Sequence, residues 1–248
     1  MSGHSKWNNI KRKKEKTDAA KAKVFTKIGR EISVIVKTGG ANPNENSKLK
    51  DAIAKAKAAN VPNENIERII KKAAGDGEAN NYEELTYEGY GPSGVAVVVE
   101  TLTDNRNRTA GEMRHYFDKC GGNLGQSGSV TFMFDRKGMI RIEAEGRDED
   151  TVMEDALEAG ADDFNFDGDV FEISTDPNDL GAVRDALEAK GYTFISAETE
   201  YIPQTMTTIE DEETAAKMEK LIDMLEENDD VQAVWHNWDM PEDESEED

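Results

Sequence analysis

The spacing of apolar residues changes once along this chain, near Tyr82, and the change indicates a helical part followed by mixed helices and strands. Over residues 17–74, apolar side chains recur at three- and four-residue steps, which is the repeat of an amphipathic helix. Glycine and proline interrupt this stretch, so we predict three helices that end near Gly39, Asn60 and Gly75. Three amphipathic helices can enclose a small core.

Beyond Tyr82 the sequence predicts strands as well as helices. Residues 85–90 and 95–102 are rich in β-forming residues and flank Gly-Pro-Ser-Gly, a combination typical of a hairpin. A helix over residues 107–119 and a strand over residues 130–134 follow, so the predicted order is ββαβ.

The pentapeptide DALEA occurs twice, at residues 155–159 and 185–189, and each copy is followed by a glycine and an apolar strand. This repeat predicts two βα units of similar design. The predicted order is strand 139–144, helix 148–159, strands 162–166 and 170–174, helix 178–190 and strand 192–197. The resulting βαββαβ order is that of ferredoxin-like domains.

A helix at 210–226 and a strand at 231–238 remain, and we expect them to complete the earlier ββαβ unit. The predicted fold class is therefore α+β, with an N-terminal helical domain and two α/β domains of ferredoxin-like character, the third inserted in the second. The predicted domains are a basic helical domain with an N-terminal arm at 1–77, a middle domain at 78–135 and 205–238, an inserted domain at 136–204, and a disordered acidic tail at 239–248.

Charge is divided unevenly along the chain. Residues 1–75 hold 18 Lys and Arg against 7 Asp and Glu, a net charge of +11, whereas the remainder carries 12 against 46, a net charge of −34. Such asymmetry is typical of a chain whose basic part binds nucleic acid, because neutralised phosphates release counterions. Alternatively, the basic segment pairs with the acidic part of its own chain, or the acidity serves solubility.

The first residues carry the strongest positive patch. Trp7 can stack on an unpaired base or pack on the helical domain, and the neighbouring asparagines can hydrogen-bond bases or sugars. The candidate nucleic-acid-binding residues are His4, Lys6, Trp7, Lys11, Arg12, Lys13, Lys14, Lys16, Lys21, Lys23, Lys27 and Arg30.

A second candidate site for phosphate or a partner comprises Asn105, Arg106, Asn107 and Arg108 at a predicted strand-to-helix junction. Backbone N–H groups and guanidinium groups can hold phosphate together at such a place. The alternative is that both arginines pair with carboxylates while Asp104 or Asn107 caps the helix.

Catalytic and metal-binding patterns are weak. The three histidines are far apart in sequence, so we expect no metal site, no cofactor, no catalytic residue and no small-molecule substrate. Residues 121–128 are rich in glycine but follow a helix, the reverse of a phosphate-binding loop, so a turned or mobile connection is expected. An enzyme using this loop and Cys120 is the rival class, although the helix C-terminus disfavours a Cys120 thiolate.

The single cysteine fits a reducing compartment, and no apolar run approaches the about 20 residues of a membrane span. The basic start lacks the apolar stretch of a secretory signal. We therefore expect a cytoplasmic protein with no membrane partner.

The segments GHSKW at 3–7, FTKIGREI at 25–32, YEGYGPSG at 87–94, LTDNRNRT at 102–109, KCGGNLGQSGSV at 119–130 and ALEAGA at 156–161 closely resemble the YebC/PmpR family. The family includes the mitochondrial translational activator of cytochrome oxidase. The resemblance implies a cytoplasmic protein of three domains without enzymatic activity or cofactor. It also implies either a DNA-binding transcriptional regulator or a ribosome-associated factor that contacts ribosomal RNA, and the sequence leaves both open, with the charge distribution favouring RNA.

Overall fold

The computed structural model describes residues 18–75 and 82–240. Three helices form the first part: α1 (Asp18–Gly39), α2 (Ser47–Ala58) and α3 (Asn63–Gly75). The side chain of Asn46 accepts a hydrogen bond from the backbone N–H of Leu49 and so caps α2. The apolar side chains that recur at helical spacing form the core of this part, and its most buried members are Ile28, Ile32, Val36, Leu49, Ala52, Ala56 and Ile66.

Strands and helices alternate beyond residue 82. In chain order they are β1 (Glu83–Tyr90), β2 (Ala96–Thr103), α4 (Arg106–Lys119), β3 (Asn123–Leu124), β4 (Phe134–Glu143), α5 (Glu149–Ala159), β5 (Asp163–Asp167), β6 (Val170–Thr175), α6 (Leu180–Ala189), β7 (Ser196–Pro203), β8 (Thr207–Thr208), α7 (Glu212–Glu227), β9 (Val231–His236) and β10 (Trp238–Asp239). Single 3-10 turns lie at Pro92–Gly94 and Thr131–Met133.

The first sheet has the strand order β3–β1–β2–β9, with antiparallel neighbours. Tyr90 and Ala96 face each other beside the Pro92–Gly94 turn, as the hairpin pattern predicts. β9, from near the chain end, pairs with β2 from the middle of the sequence. Side chains of α4 and α7, including Phe117 and Leu221, belong to one core of this sheet with Val97 and Val99 of β2.

The second sheet has the order β5–β6–β4–β7, and its elements follow one another as βαββαβ. This order is the ferredoxin-like arrangement that the DALEA repeat predicts. Ile140, Ile142, Phe171 and Ile173 form its core with residues of α5 and α6. The predicted α+β fold class, with a helical N-terminal part and antiparallel sheets, is confirmed.

The strand predicted at 130–134 is wrong. Thr131–Met133 forms a 3-10 turn, and β4 begins only at Phe134. The backbone N–H groups of Val130 and Thr131 donate to the carboxylate of Glu88, so neither is free to pair with a neighbouring strand.

Further boundaries differ from the prediction: the strand expected at 139–144 is Phe134–Glu143, and the strand expected at 231–238 ends at His236. The strand expected at 192–197 begins at Ser196, because the Tyr192 hydroxyl donates to Asp155 at 2.6 Å and its ring packs in the core between helices and sheet. Residues 239 and 240, which the sequence places in a disordered tail, are instead structured: Trp238 and Asp239 form β10, which pairs with β8, and Met240 packs against the core. Residues 241–248 lie outside the described residues.

The described residues divide into two compact units. One comprises those within 22–79 and 136–200, and the other those within 1–21, 80–135 and 201–248. The segment that begins at Arg136 ends at Glu200, four residues before the predicted end of the inserted domain at 204. The backbone N–H of Gln204 donates to the carbonyl of Met133 at 2.9 Å, and the rings of Phe134 and Tyr201 lie 6.4 Å apart, so the chain leaves and re-enters this unit at adjacent points.

We expect residues 136–200 to be separable from the unit that contains β1, β2 and β9. Joining Asp135 to Tyr201 with a short Gly-Ser linker should preserve a cooperative thermal transition, because the two ends are already adjacent. Fluorescence of Trp235 and Trp238 reports this transition, since both side chains are buried within that unit. A broad, non-cooperative change in fluorescence would show that the inserted residues are required for folding.

Candidate nucleic-acid interface

The outer face of α1 carries a stripe of basic residues. Lys23, Lys27 and Arg30 follow one another at i, i+4 and i+7 spacing, which places them on one side of the helix. Ile28 and Ile32 lie on the opposite side, buried in the core of the helical part. These three sequence-predicted residues therefore share a surface whose spacing suits successive phosphate contacts.

A second basic surface lies on α3, and the sequence analysis did not single it out. Arg68, Lys71 and Lys72 are exposed on the side opposite Ile66 and Ala73, which are buried. Arg68 donates to the side-chain oxygen of Asn65 at 3.0 Å. The sequence could have identified this surface, because helical spacing places these basic residues opposite the apolar positions of α3.

Two of the four lysines of α2, Lys50 and Lys55, have acidic partners. Lys50 pairs with Asp185, and Asp51 accepts from the guanidinium of Arg184 at 2.6 Å. Both partners lie on α6. The alternative in which basic residues pair with acids of their own chain thus applies to α2.

Lys55 of α2 also has acidic partners within its own unit. Its ammonium lies 3.3 Å from Glu31 and 3.3 Å from Glu198 of β7. Burial opposes the charge, but the two carboxylates outweigh burial and raise the pKa of Lys55 above its ordinary value. Lys55 therefore stays charged across the physiological range.

The remaining residues of the predicted interface lie outside the described residues. These are His4, Lys6, Trp7, Lys11, Arg12, Lys13, Lys14 and Lys16. Lys21 lies on α1, but its side chain is also outside the described part.

The second predicted site is built around a buried carboxylate that we call the Asp230 cluster, comprising Thr103, Arg108, Thr109 and Asp230. One oxygen of Asp230 accepts from Arg108 at 2.6 Å, from Thr109 at 2.9 Å and from Thr103 at 3.1 Å. Burial opposes ionisation of Asp230, but these three hydrogen bonds outweigh it and hold the pKa of the carboxyl below its ordinary value. The cluster joins the start of α4 to the turn before β9.

The four residues of the predicted phosphate site therefore have different roles. Asn105 caps α4 by accepting from the backbone N–H of Arg108 at 3.1 Å, so the expectation that Asp104 or Asn107 caps this helix is wrong. Arg108 also contacts Asp104 at 3.0 Å and is held by carboxylates of its own chain. Arg106 and Asn107 are exposed, and Arg106 makes no ion pair within the described residues.

The glycine-rich residues 121–128 form a tightly held turn. Glu88, which is buried, accepts backbone N–H bonds from Gly128 at 2.7 Å and from Val130 and Thr131 at 2.9 Å each. Burial opposes ionisation of Glu88, but these bonds outweigh it and lower the pKa of the carboxyl. The N–H groups of Gly128, Val130 and Thr131 are therefore bound to Glu88 and are not available to a phosphate.

Cys120 and the histidines do not form a reactive centre in the described residues. Cys120 is 1% exposed, and burial raises the pKa of its thiol. His115 is exposed on α4, whereas the Nδ1 of buried His236 accepts from the backbone N–H of Trp238. Within residues 18–75 and 82–240, no group of three or more His, Cys, Asp or Glu side chains is placed to hold a metal ion.

Comparison with known proteins identifies the family of this chain. The family described as the TACO1/YebC protein N-terminal domain matches residues 5–76, and the family described as the TACO1/YebC second and third domain matches residues 82–238. These matches agree with a basic helical part followed by two α/β parts. The chain belongs to the TACO1/YebC family, which confirms the resemblance found in its sequence.

Relatives span the whole chain. A probable transcriptional regulatory protein of Acetivibrio thermocellus is 62% identical over 239 residues, covering 96% of this chain and 99% of the relative. One of the same name from Ruminiclostridium cellulolyticum is 59% identical over 248 residues, covering 100% of both chains. The crystal structure of a conserved hypothetical protein from Aquifex aeolicus is similar, with a TM-score of 0.81 and 48% identity over 93% of this chain and 95% of that one.

None of the helices in the described ranges combines the length and the apolar character that crossing a membrane requires.

Replacing Asp230 by Asn should lower the free energy of unfolding at pH 7 by about 2–3 kcal/mol, because a buried charged acceptor of three hydrogen bonds is lost. The stabilisation exists above the unfolded-state pKa of about 4 and disappears as pH falls through the lowered folded-state pKa. Urea denaturation of both proteins across pH 3–7 measures this difference. Asp229→Asn, at an exposed neighbour, is the control.

A difference between the Asp230→Asn variant and the unaltered protein that stayed constant down to pH 3 would contradict an ionised carboxylate at the centre of the cluster.

Proposed function

We propose that this chain is a non-enzymatic nucleic-acid-binding regulator of gene expression that binds through its basic N-terminal region. The observation that carries the proposal is the net charge of +11 on residues 1–75 against −34 on the remainder. Phosphate neutralisation supplies most of the sequence-independent affinity for nucleic acid, so binding concentrates where the positive charge lies.

The arrangement of the helical part supports this assignment. Lys50 and Lys55 of α2 pair with carboxylates of α6 and β7. The basic residues of α1 and α3 share helix faces directed away from the core of the helical part. The binding surface therefore comprises the outer faces of α1 and α3 together with the N-terminal arm. The charged surface of the acidic α/β parts repels phosphate and remains available to protein partners.

We propose that the bound nucleic acid is structured RNA. A lysine-rich arm suits phosphates better than base edges, and a single Trp7 can stack only on an unpaired or terminal base. The large acidic part would resist lying along duplex DNA, whereas on a ribosome it can face basic ribosomal proteins. With structured RNA as its target, this chain would act as a translation factor on the ribosome.

Regulation of transcription through DNA is the second candidate. The relatives from Acetivibrio thermocellus and Ruminiclostridium cellulolyticum are named probable transcriptional regulatory proteins, and that name favours it. A regulator of this kind needs an element that reads bases in the major groove, often in a dimer matched to two half-sites.

The burial of Cys120 and the use of the glycine-rich turn by Glu88 argue against the enzyme class. A nucleophilic cysteine needs a lowered pKa and access to substrate, and Cys120 has neither.

Replacing Lys11, Arg12, Lys13 and Lys14 together by Ala should remove up to four phosphate contacts. The slope of log K against log salt concentration should then become shallower by up to about 3, because each contact contributes about 0.7–0.9. A salt titration of binding to structured RNA measures the slope. Lys217→Ala with Lys220→Ala, on exposed positions of α7, is the control and should leave it unchanged.

If the fourfold variant kept the slope of the unaltered chain, the N-terminal region would not be the phosphate-binding surface. A slope lost in the α7 variant would assign binding to the acidic part instead.

A further inference from the structure

Residues 120–134 contain no charged side chain, although charged residues make up 33% of the whole sequence. An uncharged run of this length usually indicates a buried segment. Here much of it is on the surface, because Asn123, Gln126 and Ser127 are all exposed. The segment therefore forms an electrically neutral surface within the strongly acidic part of the chain.

Hydrogen bonds to Glu88 and Tyr90 of β1 fix the backbone of this uncharged segment. Its backbone donates to the Glu88 carboxylate from three residues, and the N–H of Gly125 donates to the Glu88 carbonyl at 2.7 Å. The Tyr90 hydroxyl donates to the carbonyl of Ser129 at 3.1 Å. Gly89 leaves room for the close approach of β3, because a Cβ there would lie 2.6 Å from the carbonyl oxygen of Asn123.

Phe132 projects from this fixed backbone with 67% of its surface exposed, more than any other large apolar side chain of the described residues. Its neighbours hold the backbone on both sides: Thr131 donates to Glu88, and Met133 accepts from Gln204. Val130 and Phe134 are buried against the sheet. The exposure of Phe132 is thus a consequence of a defined backbone geometry.

We propose that Phe132 is a stacking site for an unpaired base, and that the exposed amides and hydroxyl of Asn123, Gln126 and Ser127 on the same segment contact neighbouring nucleotides of the strand. The inference rests on the proposed nucleic-acid-binding function and adds a second contact to it. An aromatic ring stacks on any base, since every base has a π-face.

The surroundings of Phe132 favour a base over a protein partner. Protein interfaces have a core of contiguous apolar groups, whereas the other exposed side chains of the uncharged segment are small and polar. One exposed aromatic ring, on a segment whose other exposed side chains are small and polar, matches the size and polarity of a nucleotide. A strand can approach here because the uncharged segment adds no negative charge of its own to repel its phosphates.

The test compares the full-length chain with its Phe132→Ala, Phe132→Leu and Phe132→Trp variants in binding a 12-nucleotide oligouridine. Ala and Leu should weaken binding by roughly 5- to 150-fold, while Trp should preserve or strengthen it, because only the aromatic residues can stack. The salt dependence should not change, since no charge is removed. Met206→Ala, at an exposed apolar position of the same unit, is the control.

Oligodeoxythymidine of the same length and a fully paired RNA duplex extend the test. Equal losses on both single strands assign the site to any unpaired base, and a loss on RNA alone assigns it to RNA. The duplex should be insensitive to the Phe132 variants, because its bases are already stacked.

Full affinity of the Phe132→Ala variant for oligouridine would overturn the stacking site while leaving the proposed function intact. If Phe132→Leu kept full affinity for oligouridine while Phe132→Ala lost it, the contact would be a general apolar one. That result would rule out base stacking. Absence of binding by the unaltered chain, to single strands and duplex alike, would overturn both proposals.

Discussion

The Asp230 carboxylate holds together a unit whose two chain segments are far apart in sequence. It accepts hydrogen bonds from Thr103, Arg108 and Thr109, so the end of β2 and the start of α4 are joined to the turn before β9. Because Asp230 is buried, its charge is stable only while all three donors are in place. The link lies where β9 begins to pair with β2, so we expect it to support that pairing and the core that α4 and α7 form with β2.

Buried or paired charges recur across the described residues. Arg141 of β4 is buried between Glu172 and Glu200, and Lys55 lies between Glu31 and Glu198. The proposed binding surface lies on the outer faces of α1 and α3 together with the N-terminal arm, because residues 1–75 carry a net charge of +11.

Local sequence patterns predicted most of the fold, because helix ends and strand alternation depend on neighbouring residues. The helix ends at Gly39 and Gly75 and the βαββαβ order follow from such patterns. The strand expected at 130–134 was wrong because Glu88, 42 residues before Val130, takes its backbone donors. Likewise, no local pattern indicated that Arg108 pairs with Asp230, 122 residues away, so half of the predicted phosphate site is structural.

Crosslinking in cells, followed by parallel sequencing of bound DNA and bound RNA, tests the central claim most directly. The comparison is between the full chain and one that lacks residues 1–16. A basic N-terminal surface that binds structured RNA predicts enrichment of ribosomal RNA with the full chain and its loss in the shortened one. Discrete promoter peaks in the DNA, with no ribosomal RNA enrichment over the shortened chain, would contradict it.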